Sequence, residues 1–574
     1  MAPHSESPIE QSTALLPPFL ALIDSSNRIT IPPSSLYGGI THFLSTLSAN
    51  DGSRLLTSLL TSPSLPPSAD LRYAIRLSVS SKISAIQQSL AGAYLPERRI
   101  ARQARRWLDE LARSVLQREA SRSKLVVLLG LVEGMQDNTT ISWGSARSAV
   151  EDEVILSLAE ELETDDEGSL ELLCAAMLCT TAARLRALDL KSYVAPVNTR
   201  LLQTLRSDRD APTDPDAAAH LSRALARFFA VLNSGGPSSR HHAWDAMRSF
   251  VGGMKPVAMG YESESHTTDL AWDDSKTAFF AFLTPSLSIL DILLEDDHSA
   301  RASTDMAIGV LVVLCHFSSL TERAAGGLEG YERLLYGILD VFAAKGTTRD
   351  IGRLFKLLAE GKESDSRAAF TLLVGEQLLG EAGHKTVDNL LSLCQRHIAK
   401  PSHRASFEAS HAFLLALVES SSRQPSQKTF ACEIIFYYSD LLLKQAQSGD
   451  ISADQLRSAY LQTTQAASRL SPSALQSCLH RVDSSKLTPE IEQTRRLLKI
   501  SLIPYIPITD LETYLGHLAT SILDTPQASP PRQEILALAF KTILEELGDE
   551  GKDIGMRWWL EWKDTFQRSV PARL

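Results

Sequence analysis

Cysteine is scarce in this chain, with six residues among 574, and no C-x-x-C pair or Cys/His ligand spacing occurs. So few thiols over such a length exclude a disulfide framework, and the missing spacings exclude a zinc ribbon or finger. Basic charge is the minority sign, 57 Lys and Arg against 68 Asp and Glu for a net charge of −11. That disfavours a general nucleic-acid binder, since phosphate contacts need a basic surface. Long hydrophobic runs are also missing. The best, Ala307 to Cys315, is about half of a membrane span. The apolar segment Ala14 to Ile23 lacks a basic leader, carries Pro17 and Pro18, and follows Glu6 and Glu10. It is a poor signal peptide, so the chain is expected to be made in the cytosol with no N-terminal or transmembrane route out.

Catalytic motifs are absent in turn. No G-x-x-x-x-G-K-[ST] is present, and the segment Gly548 to Lys552 has the wrong spacing and no hydroxyl after the lysine. H-E-x-x-H, G-x-S-x-G and G-x-G-x-x-G are missing too. His241 and His242 adjoin each other in a Ser/Gly-rich stretch without further ligands at metal spacing, which reads as an exposed loop. The expectation is a protein without catalytic, cofactor-binding or metal residues, and not an enzyme.

What the chain does have is helical periodicity. Leu221, Leu225, Phe228, Phe229 and Leu232 fall on one helix face, as do Tyr331, Leu334, Leu335, Ile338, Leu339 and Phe342. Ile434, Ile435, Tyr438, Leu441 and Leu442 repeat the pattern. Cys315 and Cys394 sit inside such stripes, where a thiol acts as a small buried hydrophobe. The nearest strand-like run, Arg28 to Ile31, stops at Pro32 and Pro33. The fold class expected is all-α, an irregular HEAT/armadillo-like α-solenoid or large helical array with short links between antiparallel neighbours. Breaker clusters divide it into an N-terminal helical array, 1–207; a segment with mobile loops, 208–274; a C-terminal helical array, 275–567; and an extended tail, 568–574. Ser234 to Asp274 reads as a long loop, poor in apolar periodicity and holding Gly252, Gly253 and Gly260.

Three features stand out as sites. Between Arg98 and Lys124 lie Arg98, Arg99, Arg102, Arg105, Arg106, Arg113, Arg118 and Arg122, mostly off the apolar stripe Leu108, Leu111, Ala112 and Val115. This is either a solvated face, balanced by the acidic stretch Glu160 to Glu167, or a docking face for an acidic partner or anionic headgroups. Near the end, Trp558, Trp559, Trp562 and Phe566 share a helix face. They either seal the last helix pair or dock a partner. The final residues Ala572-Arg573-Leu574 have the small–basic–leucine form of a C-terminal peroxisomal address. Such an address needs a free carboxylate, a small side chain, a cation and a terminal apolar group. Pro571 keeps helix out of the tripeptide.

A long, motif-free, all-helical chain with that ending resembles the fungal eighth peroxin family. Two further stretches carry the resemblance: STLSANDGSRLLTSLL from Ser45 to Leu60, and Met556-Arg557-Trp558-Trp559. The resemblance implies a peripheral protein on the matrix face of the peroxisomal membrane. It implies bridging of the docking complex to the RING-finger ubiquitin-ligase complex during matrix-protein import, and contact with the import receptor. Ala572, Arg573 and Leu574 are the residues it assigns, as the targeting signal. The rival reading is a cytosolic or nuclear helical-repeat adaptor whose last three residues match by chance.

Overall fold

The computed structural model describes all residues except 1–7, 25–30, 64, 93–94, 165–166, 207–212, 265–268, 296–299, 325–327, 362–363, 424–427, 485–488, 526–528 and 568–574. Of the described residues 85% are helical and none is in a strand. The chain divides into two compact units, Met1–Val341 and Phe342–Leu574.

The first unit begins with α1 (Pro8–Ile23), α2 (Pro33–Thr46), α3 (Ala49–Thr61), α4 (Ala69–Ser89) and α5 (Pro96–Leu116). It continues with α6 (Arg122–Asp137), α7 (Ser145–Leu162), α8 (Glu167–Cys179), the single turn α9 (Ala182–Leu185) and α10 (Lys191–Leu205). Then come α11 (Pro215–Asn233), α12 (Pro237–Glu264), α13 (Asp269–Glu295), α14 (Ala300–His316) and α15 (Ser318–Arg323). The division between the units falls in α16 (Glu329–Lys345).

Packing in this unit is dominated by contacts between a helix and the helix two places on, with contacts to the next helix at many joints. Thus α2, α4, α6 and α8 pack in sequence, while α3, α5 and α7 form a second row. Because α9 is one turn long, the first row passes from α8 to α11 and then α13, and the second resumes with α10, α12 and α14. Two-row stacking of antiparallel neighbours is what paired helices do when neither can bury its apolar stripe alone. Where α6 crosses α4, Gly130 and Gly134 permit backbone contact. A Cβ on Gly130 would lie 2.6 Å from the Arg72 carbonyl, and one on Gly134 would lie 2.6 Å from Val79 Cβ.

The second unit holds α17 (Thr348–Leu358), α18 (Asp365–Gln377), α19 (His384–His397), α20 (Arg404–Ser422), α21 (Lys428–Ser448) and α22 (Ala453–Leu470). It ends with α23 (Pro472–Ser484), α24 (Pro489–Ser501), α25 (Ile508–Leu523), α26 (Pro530–Glu545) and α27 (Asp549–Gln567). Here α18, α20, α22, α24 and α26 stack in order, and α21 with α23, and α25 with α27, sit alongside. Polar side chains set the helix starts. Ser364 and Ser529 cap α18 and α26, and reciprocal capping boxes open α17 (Thr347 with Asp350) and α22 (Ser452 with Gln455). Each such cap contributes about 1 kcal/mol.

Two expectations are corrected. Ser234 to Asp274 is no long loop: α12 takes up most of it, its apolar stripe being Trp244, Met247, Phe250, Met254, Val257 and Ala258, all buried. The three glycines and Pro256 hide that period in the sequence, but the buried face of α12 contains only one of them, Gly253, close against Leu202. Also, among the described residues one helix, Trp272–Glu295, is long and apolar enough by length and composition to cross a membrane. Of its apolar window 61% is buried within the protein, with Phe279, Phe282, Ile289 and Leu290 in the core beside α11. Cys315 and Cys394 are buried as the stripes required, and burial pushes the Cys394 thiol up to about 12.

Candidate functional site

The C-terminal aromatic cluster is built by α26 and α27. Helical spacing sets Trp558, Trp559, Trp562 and Phe566 on one side of α27, but the packing separates their roles. Trp558 is buried at 7% exposure and joins Leu511, Leu515, Ile535 and Ile543 in one core cluster. Trp559 and Trp562 are half-buried on the edge of that cluster. Phe566 links them, its ring centroid 5.8 Å from Trp558, 6.4 Å from Trp559 and 6.0 Å from Trp562, the last pair stacked. Phe540 of α26 lies 5.2 Å from Trp559. Between the two helices runs a groove of about 210 Å³ lined by Leu536, Ala537, Phe540, Trp559, Lys563 and Phe566. Leu544 and Leu560 are exposed nearby. Trp558 therefore serves the core, while Trp559 and Trp562 border solvent. Ala572, Arg573 and Leu574 lie outside the described residues.

A second concavity, of about 660 Å³, had no signal in the sequence. It opens beside the turn that joins α18 to α19, lined by Leu379, Glu381, His384, Asp388, Leu417 and Phe430 among others. Ser421, also on its wall, is buried at 1% exposure, and its hydroxyl has no hydrogen-bond partner. The lining comes from four helices and a turn far apart in sequence, which is why no local motif marks it. His241 and His242 are not in a loop but on the exposed first turns of α12, His241 3.3 Å from Asp245. Among the described residues no group of three or more His, Cys, Asp or Glu is arranged to hold a metal ion.

Elsewhere on α20, His411 shares a 2.9 Å hydrogen bond with the buried Tyr438 hydroxyl of α21. Burial, helped by the nearby Arg404 charge, pushes the imidazole down to about 4. Since a histidine in the unfolded chain titrates near 6.5, the folded form resists taking the proton. Its contribution to stability is complete above pH 6.5 and is lost as pH falls toward 4. The expected loss between pH 7 and pH 5 is about 2 kcal/mol from this group. Urea unfolding at the two pH values should show it, and His411→Gln should flatten the slope by that amount.

The fold is that of an all-helical repeat array with a concavity and an apolar groove on its surface. Residues 350–419, from α17 to most of α20, match the PEX8 central TPR-like domain. That match supports identification of the chain as a PEX8 peroxin and a role in peroxisomal import. No curated protein matches the chain. Among solved structures, Kap95p with RanGDP aligns at 13% identity over 97% of this chain and 70% of that one, with a TM-score of 0.34. Importin beta aligns at 12% over 98% and 70% with a TM-score of 0.27. A full-length AP-3 complex aligns at 12% over 97% and 93% with a TM-score of 0.29. Scores this low carry no argument about what this chain does.

Proposed function

We propose that this chain is a non-enzymatic scaffold of peroxisomal matrix-protein import, acting on the matrix face of the membrane. It bridges the docking complex to the RING-finger ubiquitin-ligase complex and contacts the cycling import receptor. The observation that carries the reading is the match of residues 350–419 to the PEX8 central TPR-like domain. Stacked helix pairs support it, because they present long surfaces to several partners at once. So does the edge formed by Trp559, Trp562 and Phe540, where aromatic side chains supply the anchors that dominate protein interfaces. Ala572-Arg573-Leu574 adds an address of the peroxisomal form.

Deleting the protein tests this. Matrix enzymes should remain in the cytosol while peroxisomal membranes persist, and the docking and RING-finger complexes should no longer co-purify. Normal enzyme import in the deletion strain would contradict the assignment. Normal co-purification with defective import would remove the bridging role alone.

A further inference from the structure

Helix α5 buries Ala104, Trp107, Leu108, Leu111, Ala112 and Val115 against α3, α4 and α7. The opposite side carries Arg98, Arg99, Arg102, Arg105, Arg106 and Arg113. At 3.6 residues per turn these six fall within roughly 120° of arc. Asp109 falls within that arc and Glu110 just beyond its edge, where it is taken by Arg106 at 3.3 Å. Among the described residues the other five arginines have neither an ion pair nor a side-chain hydrogen bond, and the Arg105 Nε is shielded from solvent without a partner. Nearby, Glu161 of α7 pairs with Arg122 of α6 at 3.7 Å, and the buried Lys124 takes Glu153. The guanidinium groups surround a shallow depression of about 560 Å³. All this stands on a chain whose net charge is −11.

We propose that this arginine face of α5 docks on an anionic bilayer, its guanidinium groups taking lipid phosphates. Between Arg98 and Arg113 the arc contains no large apolar side chain. A protein partner would need such anchors, since interface cores are built on desolvated aromatic and aliphatic groups. A headgroup layer needs none. Each basic side chain gains from the negative surface potential separately, and the planar guanidinium fork fits phosphate oxygens two at a time. The acidic remainder of the chain is repelled by the same surface, so attraction confined to one face also fixes orientation. This deepens the import reading and rests on it only for which membrane is meant.

The test uses the purified full chain and extruded vesicles, of phosphatidylcholine alone or with phosphatidylserine at about 7:3, read by co-sedimentation. The protein is expected to pellet with anionic vesicles and not with neutral ones, and to be released as salt shortens the Debye length to about 3 Å near 1 M. Each basic residue near the surface is worth about fivefold in partition. Arg98→Glu, Arg102→Glu and Arg113→Glu together should therefore lower binding by on the order of a hundredfold or more. These side chains are exposed and make no pairs, so the thermal midpoint and circular dichroism should not move. Lys385→Glu, Lys428→Glu and Lys541→Glu, the same charge change on exposed positions of the second unit, should lower binding far less. Equal binding to both vesicle types, or triple-variant binding like the parent, would overturn the proposal. Tighter, Arg98/Arg102/Arg113-dependent binding to polyglutamate than to anionic vesicles would reassign the face to an acidic protein. Because the readout uses only protein and lipid, an import defect or its absence leaves the result unaffected.

Discussion

A peptide of residues 565–574 is expected to bind the peroxisomal import receptor, and the same peptide with Leu574→Asp is expected not to. The proposed address asks for an apolar terminal side chain in a dry pocket and a carboxylate in a polar one. Aspartate places a second charge in the dry pocket, and desolvating it costs several kcal/mol, enough to abolish measurable binding. One residue added after Leu574 should have the same effect by moving the carboxylate, whereas Ala572→Ser should be tolerated because the side chain stays small. Fluorescence anisotropy with the purified receptor domain measures all four peptides. Equal weak binding by the parent and Leu574→Asp peptides would make the tripeptide coincidental. The likeness of residues 350–419 to the PEX8 central TPR-like domain would stand, and entry into the organelle would then need another route.

The largest stability effect is expected at Glu151 of α7. Its carboxylate is 0% exposed and is held by Arg147 at 2.7 Å, Arg184 at 3.2 Å and the Thr181 hydroxyl at 2.8 Å. The pairing ties α7 to the single turn α9, where the packing order of the rows shifts. Arg147→Ala with Arg184→Ala removes both cations and strands the carboxylate in the interior. An uncompensated buried charge costs about 3–5 kcal/mol, so the urea midpoint of the first unit should fall markedly. Replacing the acid itself behaves differently. Glu151→Met leaves two arginines that already reach solvent and fills the site with an apolar side chain of similar length, so its cost should be small. If Glu151→Met proved as damaging as the double arginine variant, the network would matter for geometry rather than for charge compensation.

Helices with clean stripes could be read directly. Residues 221–232, 331–342 and 434–442 show their buried faces as periodic Leu, Ile, Phe and Tyr, and α11, α16 and α21 form there. For α12 the same reading fails. Its stripe is made of Trp, Met and Ala as well as Phe and Val, and glycines interrupt it. The concavity beside the α18–α19 turn left no trace in the sequence, because its wall is assembled from helices that only stacking brings together.

By itself the sequence determined that the chain is helical, where most helices run and which arc of each is buried, since a 3.6-residue period is a local property. It also put the arginines on one side of α5 and the tryptophans on one side of α27. Tertiary structure decided what those sides meet. Row packing puts Trp558 in the core and leaves Trp559 and Trp562 at the edge. It gives Arg122 a carboxylate and gives Arg98, Arg102 and Arg113 none. Whether a side chain finds a partner depends on the helix that lies across from it, and that helix is chosen by non-local packing which no local period encodes.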